Sequence, residues 1–222
     1  MNAFELLDRA PTPDGTDMTL IRRGRECVIF ADGKTLMSSR MHGSEEALAT
    51  IGCDRARNVE APSVLVGGLG MGFSLRAALD LLPGDATVVV AELLPAIVEW
   101  NRTVLGPLAG HPLRDRRVSV ELRDVAATLG DRLNGFDAVL LDVDNGPGSF
   151  AQTSNGTLYR DAGLALVRSA LRPHGVYAVW SARDDVKFQH RLRHGGFLVE
   201  THQVRARLRQ GGPHHTIFVG RL

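Results

Sequence analysis

Cysteine is nearly missing from this chain of 222 residues: only Cys27 and Cys53 occur, with no Cys-x-x-Cys spacing. A disulfide-stapled scaffold is thereby excluded, and a structural zinc site, or any other metal site, has no support. Aromatic residues make up 5% of the chain, too few for a base-stacking surface, and a formal charge of +1 provides no overall attraction for nucleic acid. Long apolar runs are also lacking. Stretches such as Val88–Ala91 and Ala138–Leu141 fall far short of the roughly 20 residues that a membrane span requires. Residues Met1–Glu5 carry neither the basic start nor the apolar stretch of a signal peptide, so a cytoplasmic address is expected. Basic side chains do gather late in the chain, at Lys187, Arg191, Arg193, Arg205, Arg207 and Arg209. They read as a solvated helix face followed by an exposed strand.

What is present is an ordinary globular composition, 44% hydrophobic and 23% charged, over a length sufficient for one full core and a small appendage. Residues 17–40 hold two short β-prone runs, Met18–Ile21 and Glu26–Phe30, with a turn signal at Asp32-Gly33, which predicts a small hairpin or meander. Ser44 followed by Glu45 and Glu46 reads as a helix start. From Pro62 onward, strands and helices alternate. Strands are expected at 63–66, 87–91, 118–122, 137–141 and 176–180, and helices at 73–82, 95–105, 125–133, 158–171 and 185–194. Arg172-Pro173-His174-Gly175 is expected to stop the helix before the fifth of these strands. A terminal β-prone pair, 197–208 and 215–222, is joined too tightly for a crossover and must be antiparallel. The expected fold is α/β: a Rossmann-like, mostly parallel sheet with an antiparallel C-terminal hairpin strand at one edge, behind a small N-terminal β-domain. The corresponding division is residues 1–50 and 51–222.

The chemistry-bearing residues fall at the ends of successive strands. Gly67, Gly68, Leu69, Gly70, Met71 and Gly72 follow the first strand and open a helix, where glycines permit a tight turn and close approach of a ligand. Glu92, with Leu93 beside it, ends the second strand about 20 residues on, the spacing at which an acid holds ribose hydroxyls. Asp124, followed by Val125, ends the third and can accept from an adenine amino group. Asp142, Asp144 and Asn145 follow the fourth, and a carboxylate there can take a proton from an attacking nucleophile. Each acid alone reads as a helix cap or turn residue. Together, beside the glycine loop, they read as a nucleoside site.

These residues, with the small β-unit ahead of a methyltransferase-type core, resemble the spermidine synthase-like proteins of the polyamine aminopropyltransferase superfamily. The resemblance runs from about Glu26 to Leu222 and is densest over Val64–Asp144. It implies a transferase that uses S-adenosylmethionine or its decarboxylated form, moving an aminopropyl group to a small amine. In that reading Gly68, Gly70, Gly72 and Glu92 hold the nucleoside and methionine-derived parts, Asp124 meets the adenine, and Asp142 is the catalytic aspartate. Methyl transfer to a small molecule and a non-catalytic nucleoside-binding homologue are the alternatives, and a homodimer is left open. The chain departs from the family in its loop, where Gly-Leu-Gly-Met-Gly replaces a glycine run containing an aspartate. It also carries Met41-His42-Gly43 and Ser44-Glu45-Glu46 in the region of the family's Tyr-His-Glu cluster, and Asn145-Gly146 after Asp144.

Overall fold

The computed structural model describes residues 4–12, 15–31, 33–143, 146–147, 154–207 and 211–222. Strands β1 (Phe4–Pro11), β2 (Asp17–Arg23), β3 (Glu26–Ala31) and β4 (Lys34–Ser38) form a four-stranded antiparallel sheet in sequence order. The expected meander is therefore present but larger by one strand. β1 gave no signal in the sequence because it is exposed along most of its length, with only Ala10 buried, so its residues do not alternate. The inner face of this sheet contributes Met18, Leu20, Cys27 and Ile29 to the core. Asp32, half of the expected turn signal, lies outside the described residues.

The larger sheet has seven strands: β5 (Ser63–Gly67), β6 (Thr87–Glu92), β7 (Val118–Leu122), β8 (Phe136–Leu141), β9 (Leu171–Ser181), β10 (Leu198–Arg205) and β11 (His214–Arg221). Their order is β10-β11-β9-β8-β5-β6-β7. Strands β5 to β9 are parallel, and β11 runs antiparallel to both β9 and β10. The antiparallel strand thus sits one place in from the edge, with β10 outside it. Burial explains the order: β11 buries Thr216–Gly220 continuously, whereas β10 has no fully buried residue and suits an edge. β9 also begins earlier than expected, at Leu171, which pairs with Phe136. The Pro173–Gly175 stretch is absorbed as an irregularity in which His174 takes φ 67°.

Helices α1 (Gly43–Gly52), α2 (Phe73–Leu81), α3 (Pro95–Arg102), α4 (Val125–Gly130), α5 (Asp161–Ala170) and α6 (Val186–His194) cover both faces. Alternation along the strands divides the core in two. Val64, Val66, Leu140 and Ala178 face α1, α2 and the small sheet, while Leu65, Val139, Leu141 and Val179 face α4, α5 and α6. Among the described residues no helix is long and apolar enough to cross a membrane. Helix α1 begins two residues earlier than a Ser44 cap would place it. His42 stands at its N-cap, Ser44 lies in the first turn, and the Ser44 hydroxyl makes bonds elsewhere.

α1 lies flat on β8 and β9 because its last residue has no side chain. A Cβ on Gly52 would collide with Leu140 Cδ2 and stand 3.0 Å from the Ala178 methyl. Gly52→Ala is therefore expected to destabilise the protein by about 1–3 kcal/mol, the usual cost of overpacking a filled core. Gly84→Ala, whose nearest neighbour is Arg116 Nη2 at 3.7 Å, is the matched control and should change stability far less. Urea unfolding of both variants checks this.

Candidate active site

Because β5 to β8 are parallel, their C-terminal ends open on one edge of the sheet. The order β8-β5-β6-β7 sets Asp142, the glycine loop, Glu92 and Asp124 side by side along that edge. The chain leaves β5 towards β6 on one side and returns through β8 on the other. That reversal creates the crevice in which ligands of open α/β sheets bind.

The glycine loop is braced from three directions. Gly68 N–H donates to the Ala91 carbonyl at 2.9 Å, Leu69 N–H to Glu92 Oε2 at 2.9 Å, and Asn101 Nδ2 to the Gly70 carbonyl at 2.8 Å. The glycines serve different ends. A Cβ on Gly68 (φ 88°) would collide with the Asp142 carbonyl, and one on Gly72 (φ 83°) would stand 2.8 Å from Asn101 Oδ1, so both glycines are demanded by packing. A Cβ on Gly67 would meet Leu141 at 2.7 Å and Val125 at 3.0 Å. At Gly70 (φ 51°) a Cβ would meet only the end of the flexible Met37 side chain of β4, at 3.4 Å. Leu69 and Met71 turn their side chains into the core, leaving backbone to face the cleft. The Leu69 amide is spent on Glu92 and that of Gly72 on the Leu69 carbonyl at 2.8 Å. Among the described residues the amides of Gly70 and Met71 make no internal bond, and α2 begins with no side-chain cap.

Glu92 is 8% exposed and its two oxygens accept from Leu69 N–H and Leu94 N–H, both at 2.9 Å. Burial pushes its pKa up, and the amides of Leu69, Leu94 and Leu93 act against that rise. A carboxylate has about four acceptor sites, so these amides leave at least one for a ribose hydroxyl. Leu93 is exposed just beyond it. Asp124 caps α4, its Oδ1 accepting from Ala126 N–H at 2.6 Å, and Val125 is buried against Gly67. The helix-cap reading of Asp124 therefore holds for one oxygen.

Asp142 continues β8 through its amide, which donates to the Gly67 carbonyl at 2.8 Å. Its Oδ2 accepts from the Ser74 hydroxyl at 2.5 Å in the first turn of α2. Burial raises its pKa to about 6, opposed by that bond. Asp144 and Asn145 lie outside the described residues. A second acid, Glu45, shows in the sequence only as part of a helix start. Burial, then the Asp142 charge, push Glu45 of α1 up to about 8, with a bond from Ser44 opposing. Ser44 Oγ donates to Glu45 Oε2 at 2.6 Å and lies 2.8 Å from His215 Nδ1 of β11. His215 meets Trp180 edge-on, with centroids 4.7 Å apart, and His42 stacks on Phe73 at 4.1 Å. Ser74 carried a usable signal, two residues past Gly72. His215 had none, being 171 residues from Ser44. Among the described residues no three metal-ligating side chains are grouped as a metal site.

No protein-family model matches the chain. It is similar to the polyamine aminopropyltransferases of Mycobacterium tuberculosis, with 31% identity over 168 residues that cover 73% of this chain and 30% of the relative. The relative from Corynebacterium efficiens is 30% identical over 135 residues, covering 59% and 25% respectively. The chain thus spans about 30% of the length of the curated relatives it matches. Two solved structures share the fold, each with TM-score 0.74, 17% identity, 97% of this chain covered and 72% of the other. One is the spermidine synthase of Thermotoga maritima, and the other a spermidine synthase in complex with the transition-state analogue AdoDATO. In sequence the chain is similar to the polyamine aminopropyltransferases, and its fold is that of the spermidine synthases.

Proposed function

We propose that the chain is a transferase that moves an aminopropyl group from decarboxylated S-adenosylmethionine to a small amine, with residues 1–50 as a β-rich unit over a Rossmann-like unit of residues 51–222. The observation that carries this reading is Asp142, a half-buried carboxylate with a raised pKa, bonded to Ser74 and set beside the glycine loop. The similarity to polyamine aminopropyltransferases supports it. The cofactor supplies an electrophilic carbon on a sulfonium, so that the nitrogen–carbon bond forms as the carbon–sulfur bond breaks with its electron pair left on sulfur.

The residues present fit such a group. Glu92 keeps an acceptor site for the ribose, Gly70 has no Cβ in the way of close approach, and Asp124 retains one oxygen for the adenine. Asp142, held by Ser74, accepts a proton from the acceptor's ammonium, freeing the lone pair that attacks. A pKa of about 6 leaves it ionised at neutral pH, yet basic enough to take that proton. The free amides of Gly70 and Met71, with no acid on the loop, favour a second reading. They suit the carboxylate of intact S-adenosylmethionine, and hence methyl transfer.

Calorimetry should show adenosylmethionine, its decarboxylated form or methylthioadenosine binding, and should rank the first two. Gly70→Ala is expected to fold and to weaken that binding by about tenfold, roughly 1.4 kcal/mol. Gly68→Ala should instead lose stability, because its Cβ meets backbone. Undiminished binding by Gly70→Ala would mean that no ligand approaches there.

A product-mass screen of diamines and polyamines against both cofactor forms tests the chemistry. Asp142→Asn should keep cofactor affinity and lose about 10²–10⁴-fold in turnover. Asp144→Asn, proposed as the lesser of the two catalytic acids, should lose less. Equal turnover by wild type and Asp142→Asn would remove Asp142 from the mechanism.

A further inference from the structure

The mechanism above leaves unused a group of side chains farther along the same sheet edge. Strands β8, β9 and β11 are neighbours, and their pairing sets Leu141 beside Val179 and Val179 beside Phe218. The next row outward is Asp142, Trp180 and Ile217, and His215 stands two residues beyond Ile217 on that edge. Side chains alternate along a strand, so Asp142, Trp180 and His215 share the face of Leu140, Ala178 and Ile217. Their bonds agree: Asp142 meets Ser74 of α2, and His215 Nδ1 lies 2.8 Å from Ser44 Oγ of α1, both helices of that face. Two strand spacings, about 10 Å, separate the strand of Asp142 from that of His215. The His215 ring is half-buried and lies edge-on to Trp180, with centroids 4.7 Å apart.

The bonds of Ser44 fix which nitrogen of this ring carries the proton. The serine hydroxyl has one hydrogen, and Glu45 Oε2 receives it at 2.6 Å. A carboxyl group keeps an acceptor oxygen whether or not it is ionised, so that bond holds for either charge of Glu45. Ser44 Oγ then accepts from the ring, which places the imidazole proton on Nδ1 and the lone pair on Nε2. Burial, and then His214, hold the pKa of His215 below the usual range, so the ring is neutral near pH 7. Among the described residues Nε2 makes no hydrogen bond, and it is not one of the buried atoms left without a partner, so it meets solvent. We propose that His215 determines acceptor specificity. Its Nε2 accepts a hydrogen bond from the second nitrogen of a di- or polyamine whose first nitrogen lies at Asp142, and Ser44 is the positioning residue that sets its tautomer. This rests on the reading of Asp142 as the group that receives the attacking amine. A neutral ring takes a bond from an ammonium without the repulsion an imidazolium would bring. Trp180, half-buried in the row between them, gives the methylene chain an apolar wall.

Nitrogen NMR of the ligand-free protein checks the tautomer without any substrate. Neutral His215 should carry its proton on Nδ1, and Ser44→Ala, which removes the acceptor, should abolish that preference. A wild type in the Nε2–H form, or a tautomer unmoved by Ser44→Ala, overturns the inference. Amine binding is then read by calorimetry with methylthioadenosine present, using straight-chain diamines and the monoamines of the same carbon count, so that no turnover is needed. The wild type should prefer a diamine. His215→Ala should weaken that diamine by about 10–100-fold, the loss of one bond to a charged group, and leave its monoamine unchanged. If His215→Ala does not fold, His215→Phe keeps a ring beside Trp180 without the lone pair and should show the same selective loss. A wild type that binds the diamine no better than the monoamine, or binds no amine, overturns the subsite. An unchanged diamine affinity in the variant, or equal weakening of both amines, overturns it as well. A diamine preference that depends on His215, in a protein that transfers nothing to any amine, would overturn the transferase reading and leave the subsite standing.

Discussion

The carboxylate of Glu92 is the constraint on which the cleft depends. It is buried, and the N–H groups of Leu69, Leu94 and Leu93 act on it against the cost of burial. Bonds of this charge-assisted kind contribute roughly 1.5–3 kcal/mol each, against the desolvation that raises its pKa. Through Leu69 it sets where the loop leaves β5. Through Leu94 it sets how the chain turns from β6 into α3. Asn101 of α3 then reaches back to the Gly70 carbonyl, closing a ring of contacts around the loop. Once the loop is placed, α2 must begin at Phe73, Ser74 must face Asp142, and Gly68 must run against the Asp142 backbone.

The small sheet is bound to this arrangement at two points. Met37 of β4 lies over Gly70, and the Trp100 indole of α3 donates to Asp8 of β1 at 2.7 Å. That bond, with the Arg9 amide, holds the Asp8 carboxyl below its usual range. Trp100 is among the largest fully buried side chains, so the tie is anchored in the core. The small sheet therefore borders the glycine loop at Gly70.

Much of this was legible in residue order. The alternation of strands with helix-length segments after Pro62 gave the layered α/β fold, because a buried parallel strand and an amphipathic helix have distinct periods. The glycine run between strand and helix marked the loop, since few other residues accept φ values near 51–88°. What misled were elements whose environment is not local. β1 pairs along an exposed edge and carries no alternation, and Pro173-His174-Gly175, locally a helix stop, is taken into β9 by pairing with β8. Ser44, locally a helix cap, spends its hydroxyl on Glu45 and on a histidine brought from the far end of the chain.

By itself the sequence determined which strand ends carry acids and that a glycine turn stands among them, because both are properties of neighbouring residues. Only the tertiary structure decided that Gly68 and Gly72 serve packing, while a Cβ at Gly70 would touch only the end of Met37. It likewise decided that Glu92 fastens the loop, and that Asp142 is held by Ser74 of the helix that the loop opens. Charge, burial and reach act through space, and the residues that supply them here lie up to 171 positions apart.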